Sequence, residues 1–85
     1  MATWHQVTER FIEQCFNRDA RPLKSGNYLA KNGEFFLFGN RIAFRTEEGI
    51  DTNYMGEYSR TRSRITSKAL NYLRWKYAIA LRIRR

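Results

Sequence analysis

Cysteine, proline and histidine are nearly missing from this chain, whose 85 residues hold one of each. A single Cys15 excludes an internal disulfide framework and fits a reducing cytoplasm. One Cys and one His also fall short of a structural zinc set. His5 and Cys15 stand ten residues apart on what reads as one helix, a rise of about 15 Å. Within that helix they cannot touch as a Cys–His catalytic pair must. Long apolar runs are missing too: "FFLF" and "YAIAL" are far too short to cross a bilayer. The opening "MATWHQVTER" turns polar at once and lacks the apolar core of a signal peptide. None of the patterns G-x-x-x-x-G-K-[ST], G-x-G-x-x-G or G-x-S-x-G occurs. Glu47, Glu48 and Asp51 form at best a loose acidic loop, short of the oxygens a Mg²⁺ or Ca²⁺ site needs. The expectation is a small cytoplasmic protein that is not an enzyme, holds no metal or cofactor and does not enter a membrane.

Acid is the most unevenly distributed absence. Residues 1–57 carry seven Lys/Arg and eight Asp/Glu, whereas residues 58–85 carry nine Lys/Arg and no acid, for a formal charge of +8. Such polarity is an electrostatic footprint for a polyanion. The plainer account is a basic tail that aids solubility.

Eighty-five residues make one domain, 1–85, and a chain this short buries only around 60% of its unfolded surface. Nearly every large apolar residue is therefore needed for the core. Thr3 and Gln6 stand in capping-box spacing ahead of a helical rhythm. Trp4, Val7, Phe11, Ile12, Cys15 and Phe16 share one half of the wheel; Glu9, Arg10, Glu13, Gln14 and Asn17 share the other. Pro22 closes this helix at about residue 18. Asn32-Gly33 and Gly39-Asn40 read as two-residue hairpin loops, which pairs Lys31 with Glu34 and Phe38 with Arg41. Period-two alternation then gives a core face of Tyr28, Ala30, Phe35, Leu37, Ile42 and Phe44. The outer face carries the rows Lys31–Glu34–Arg45, Leu29–Phe36–Ala43 and Asn27–Phe38–Arg41. "IDTNYM" adds a fourth strand or an extended loop, and Gly56 marks the turn into a last helix capped by Thr61 or Ser63. Ile65, Ala69, Tyr72, Leu73, Tyr77, Ile79, Ala80 and Ile83 form its apolar side. Arg64, Lys68, Asn71, Arg74, Trp75, Arg82 and Arg85 form the polar side. Lys76 interrupts the apolar side and can snorkel. The helix reads through about residue 78, and residues 77–85 fit helix or strand. The fold class is α+β: an N-terminal helix, a three- or four-stranded antiparallel meander and a C-terminal basic helix, with both helices on one sheet face.

Within this frame, "YSRTRSRITSKALNYL" is the clearest candidate site. A helix N-terminus offers free amides and a positive dipole end to phosphate, yet cationic side chains there oppose the dipole. Arg60, Arg62, Arg64 and Lys68 are placed against that preference, which favours an external anion. The competing account is neutralisation by Glu47, Glu48, Asp51 and Glu57. Phe36 and Phe38, beside Arg41, suit base stacking or a protein interface if the outer face is open. Trp75 either packs under a loop or anchors an interface.

The order helix–three strands–helix with "SRITSKAL" opening the last helix is similar to double-stranded-RNA-binding domains. That resemblance implies phosphate clamping by Arg64 and Lys68. "LFGNRIAF" followed by "YSRTRSRITSKALNYL" resembles a layout of small bacteriophage proteins, a G-N-x-I-A hairpin and then Y-S-x-T-x-S leading a basic helix. It spans roughly residues 34–73 and implies a phage origin. The leading expectation is a phage-encoded nucleic-acid-binding module, for DNA or RNA. Phosphate contacts would come from Arg60, Arg62, Arg64, Lys68, Arg74 and Arg82; stacking would come from Phe36, Phe38 or Trp75. The alternative is a phage-encoded inhibitor that binds an acidic host protein. A homodimer through the Phe or Trp patch is compatible with either.

Overall fold

A computed structural model describes residues 2–52 and 64–84, with the backbone alone at 64–66 and 84. The order is α1 (Trp4–Phe16), β1 (Leu23–Ser25), β2 (Tyr28–Lys31), β3 (Glu34–Leu37), β4 (Asn40–Thr46), β5 (Gly49–Thr52) and α2 (Arg64–Arg84). The fold is α+β, with a five-stranded antiparallel meander in sequential order. It has one strand more than the largest expected number. The addition is β1, a three-residue edge strand joined to β2 through Gly26-Asn27. β5 answers the question left at "IDTNYM" in favour of a strand as far as Thr52.

α1 starts as its sequence dictates. Thr3 accepts from the Gln6 amide and Gln6 reaches back to the Thr3 amide, a complete capping box. The helix ends at Phe16, about two residues before the expected stop, because Asn17 turns to an extended backbone. Val7, Phe11 and Ile12 bury its apolar face, as expected. Gln14, expected on the polar half, is instead only 2% exposed. Its position looks down on the β2–β3 turn, where backbone polar groups need partners (see Discussion).

The Asn32-Gly33 turn forms as expected, with positive φ at both residues and Lys31 opposite Glu34. The next turn does not. Its central residues are Phe38 (φ 53°) and Gly39 (φ 79°), and Leu37 pairs with Asn40. The type I′ turn takes Gly39 at its second position, as Asn-Gly does, and Phe38 falls into the first. An L-residue held there costs about 1 kcal/mol or more. This one-residue shift is partly undone by a β-bulge between Phe35 and Phe36: Arg41 pairs with Phe36, Ala43 with Phe35, and Ile42 is the extra residue. Ile42 and Ala43 both face the core, buried to 6% and 0% exposure. Everything downstream on β4 therefore changes side. Phe44, expected in the core, lies on the outer face opposite Glu34. Arg45, expected outside, lies on the helix side over Gly33. Ala43 leaves the expected outer row and Phe38 leaves the sheet face altogether.

Both helices cover one sheet face. Val7, Phe11 and Ile12 of α1 meet Ala69, Leu70 and Leu73 of α2 over Ala30, Phe35, Leu37, Ile42 and Ala43. The Phe11 and Phe35 rings stack at 5.6 Å, anchoring α1 to the middle strand. The helices run side by side in the same direction. Trp4 meets Tyr72 at 5.3 Å, Glu9 meets Lys76 at 3.5 Å, and Phe16 meets Tyr77 at 5.9 Å. Because Phe16 ends α1, the last turns of α2 overhang it. This explains why Ile83, expected on the apolar side, is 78% exposed. α2 is helical to Arg84, so the alternation Ile79-Ala80-Leu81-Arg82-Ile83 is not a strand. Leu70, absent from the expected stripe, is fully buried. Gly56, Thr61 and Ser63 lie outside the described residues.

Candidate nucleic-acid interface

α2 packs through Ala69, Leu70 and Leu73, so the opposite side of the helix must face away from the sheet. Lys68, Asn71, Trp75, Ala78 and Arg82 recur there every three or four residues, and all five are exposed. Trp75 is 60% exposed and packs under no loop among the described residues. Seven residues separate it from Lys68 and seven from Arg82, a rise of about 10 Å each way. Arg64 continues the same row one turn earlier by its backbone position. The ridge is thus an apolar ring between two cations.

The ridge rests on an aromatic cluster at the seam between the helices. Trp4 stacks on His5 at 3.8 Å and on Tyr28 at 6.0 Å. Tyr72 meets Trp4, His5 and Trp75 edge-on at 5.3, 4.8 and 6.0 Å. The Lys68 ammonium sits 5.3 Å from the Trp4 ring centre, and the Lys76 ammonium 5.6 Å from Trp75. Lys76, expected to snorkel, does so toward Glu9. Cation–π contact of this kind holds an ammonium in place without neutralising it. Trp4, His5, Tyr72 and Lys76 were not among the expected site residues. The legible signal was Tyr72 and Trp75 at i, i+3 on one helix and the Trp4-His5 pair on the other.

The remaining candidates are not part of the ridge. Phe36 and Arg41 lie on the outer sheet face, on the far side of the sheet from α2. There the Arg41 guanidinium pairs with Glu34 at 2.9 Å and covers the Phe44 ring at 4.5 Å. An external phosphate would have to displace that carboxylate. Phe38 projects from the β3–β4 turn, 57% exposed. Arg74 lines a groove between α2 and β5 with Ile50, Asp51, Tyr77 and Leu81. Arg60 and Arg62 lie outside the described residues, as does Glu57. Among the described residues the ion pairs are Arg10–Glu13, Arg41–Glu34 and Lys76–Glu9, and none takes Lys68 or Arg82.

No group of three or more His, Cys, Asp or Glu among the described residues is placed to hold a metal ion. No helix among them is long and apolar enough to cross a membrane. Cys15 packs against the core, and burial pushes its thiol up to about 11, with Arg45 pulling weakly the other way. At pH 8 such a thiol holds roughly 90-fold less thiolate than a cysteine titrating at 9.0. Iodoacetamide should accordingly alkylate the folded chain far more slowly than the urea-unfolded chain; equal rates would show an open thiol. The raised folded value also sets a sign. The contribution of Cys15 to stability is complete below pH 9 and is lost as pH rises toward 11.

No protein-family model, curated protein or solved structure matches the chain.

Proposed function

We propose that this chain binds nucleic acid through the exposed ridge of α2, with Lys68 and Arg82 on phosphates and Trp75 between them as a stacking surface. One observation carries the reading. An open Trp stands midway between two exposed cations that no carboxylate among the described residues neutralises, in a chain of formal charge +8. Phosphates recognise fixed cations, and bases stack on exposed indoles. Arg60, Arg62 and Arg64 precede the ridge in the sequence and add three positive charges just before it. The phage-like layout of residues 34–73 supports a phage-encoded module acting among host nucleic acids.

Fluorescence anisotropy with labelled single- and double-stranded DNA and RNA at two ionic strengths tests this. Neutralising at least two phosphates gives a slope of log K against log salt of about −2 or steeper. Affinity unchanged between low and physiological salt overturns the reading. Pull-down from nuclease-treated lysate separates it from the inhibitor alternative: an acidic protein that stays bound in stoichiometric amount would favour that second class.

A further inference from the structure

We infer that Phe38 is a base-stacking finger: the tip of the β3–β4 hairpin holds its ring in the open to stack on an unpaired nucleobase of the nucleic acid whose phosphates the α2 ridge holds. The inference rests on the nucleic-acid reading above. Its first support is an internal comparison. The sheet contains two turns of the same kind, Asn32-Gly33 and Phe38-Gly39, and the first residue of each has φ 53°. Asn suits that left-handed conformation, because its short polar side chain can hydrogen-bond locally, whereas a bulky ring does not. The second turn nonetheless carries Phe, 57% exposed. Among the described residues its ring stacks on no other and lies under no cation. Neither packing nor turn chemistry accounts for the choice, and residues held against local preference concentrate at working sites.

Position is the second support. The Phe38 amide donates to the Asn27 carbonyl at 2.9 Å. Leu37, beside it, pairs with Tyr28, whose ring stacks on Trp4, and Lys68 sits over Trp4. The finger therefore stands at the same end of the molecule as the start of α2. Charge selects the occupant. A second copy docking here would bring like charges from Lys68 together, whereas a single strand brings phosphates to Lys68 and free base faces to Phe38.

Two variants test this: Phe38→Asn and Phe38→Trp. The Asn variant should melt about 5 °C higher than the wild type, since it relieves the turn. It should also bind single-stranded oligonucleotides about tenfold more weakly. Its duplex affinity should stay within twofold, and its salt slope should not change, because no phosphate contact is lost. The Trp variant should keep single-strand affinity and show an added fluorescence quench on binding. If the wild type binds no nucleic acid, both proposals fall. If it binds and the Asn variant binds single strands equally well, the finger alone is overturned. A wild-type dimer that Phe38→Asn makes monomeric overturns it in favour of self-association.

Discussion

Replacing Gln14 with Leu should lower stability by about 3 kcal/mol and Tm by roughly 15 °C. Leu fills nearly the same volume, so little cavity forms and the loss is polar. The Gln14 carboxamide ties α1 to three separate backbone segments. Its Nε2 donates to the Arg21 carbonyl at 3.1 Å and to the Ala30 carbonyl at 3.2 Å, while its Oε1 accepts from the Gly33 amide at 3.2 Å. The Arg21 carbonyl keeps a second donor in Arg10. The Gly33 amide sits in a type I′ turn, where the turn itself offers no acceptor, and Gly33 is buried. A buried amide left without an acceptor costs about 1–3 kcal/mol, and the carbonyls that lose a donor add to it. In a domain of this size, total stability is only about 4–13 kcal/mol. Urea titration followed by circular dichroism measures the difference. A loss under 1 kcal/mol would mean that water reaches the turn and that Gln14 is not the link between α1 and the sheet.

Gln14 also shows where sequence stops specifying structure. A capping box, an amphipathic face and an Asn-Gly turn are encoded within a few residues, so α1 and the β2–β3 hairpin could be read directly, and the core side of α2 in part: Ala69 and Leu73 were on the expected stripe, Leu70 was not. A buried carboxamide is set by what lies across the core, and no period reveals it. The β-bulge is similar. It carries no compositional mark, yet it moved Phe44 out and Arg45 in, while Phe38 entered the turn through the shift in the turn's own register. The turn itself was legible in kind but not in register, because "LFGN" admits Gly at either central position. β1 is three residues long and its Gly26-Asn27 turn is the less favoured order, so its signal is weak. For the site, the helical period correctly grouped Lys68, Trp75 and Arg82. It could not separate Arg74, which falls near the edge of the same arc and turns toward β5. The Trp4–Tyr72 seam joins residues 68 positions apart in sequence, and each looked like ordinary core on its own helix.

Reversing both ridge cations, Lys68→Glu with Arg82→Glu, should lower nucleic-acid affinity by more than 100-fold at low salt and flatten the salt slope by about 2. Each cation removed takes one phosphate contact with it, and each carboxylate installed repels the phosphate that remains. The fold should survive the change. Both side chains are exposed and neither belongs to an ion pair among the described residues. A carboxylate at position 68 lies nearer the N-terminus of α2, where the dipole favours it, and one at 82 lies in the last turn, where the dipole opposes it, so these effects offset. The lost Lys68–Trp4 contact is worth about 0.5–1 kcal/mol. The control is a second pair, Lys24→Glu with Lys31→Glu, which alters net charge by the same amount on the outer sheet face. If binding depends on the ridge, the control loses only the long-range attraction, a few-fold, and that loss disappears at physiological salt, where screening acts within about 8 Å. If the two pairs weaken binding equally, the surface acts only as diffuse positive charge, and α2 holds no defined phosphate track.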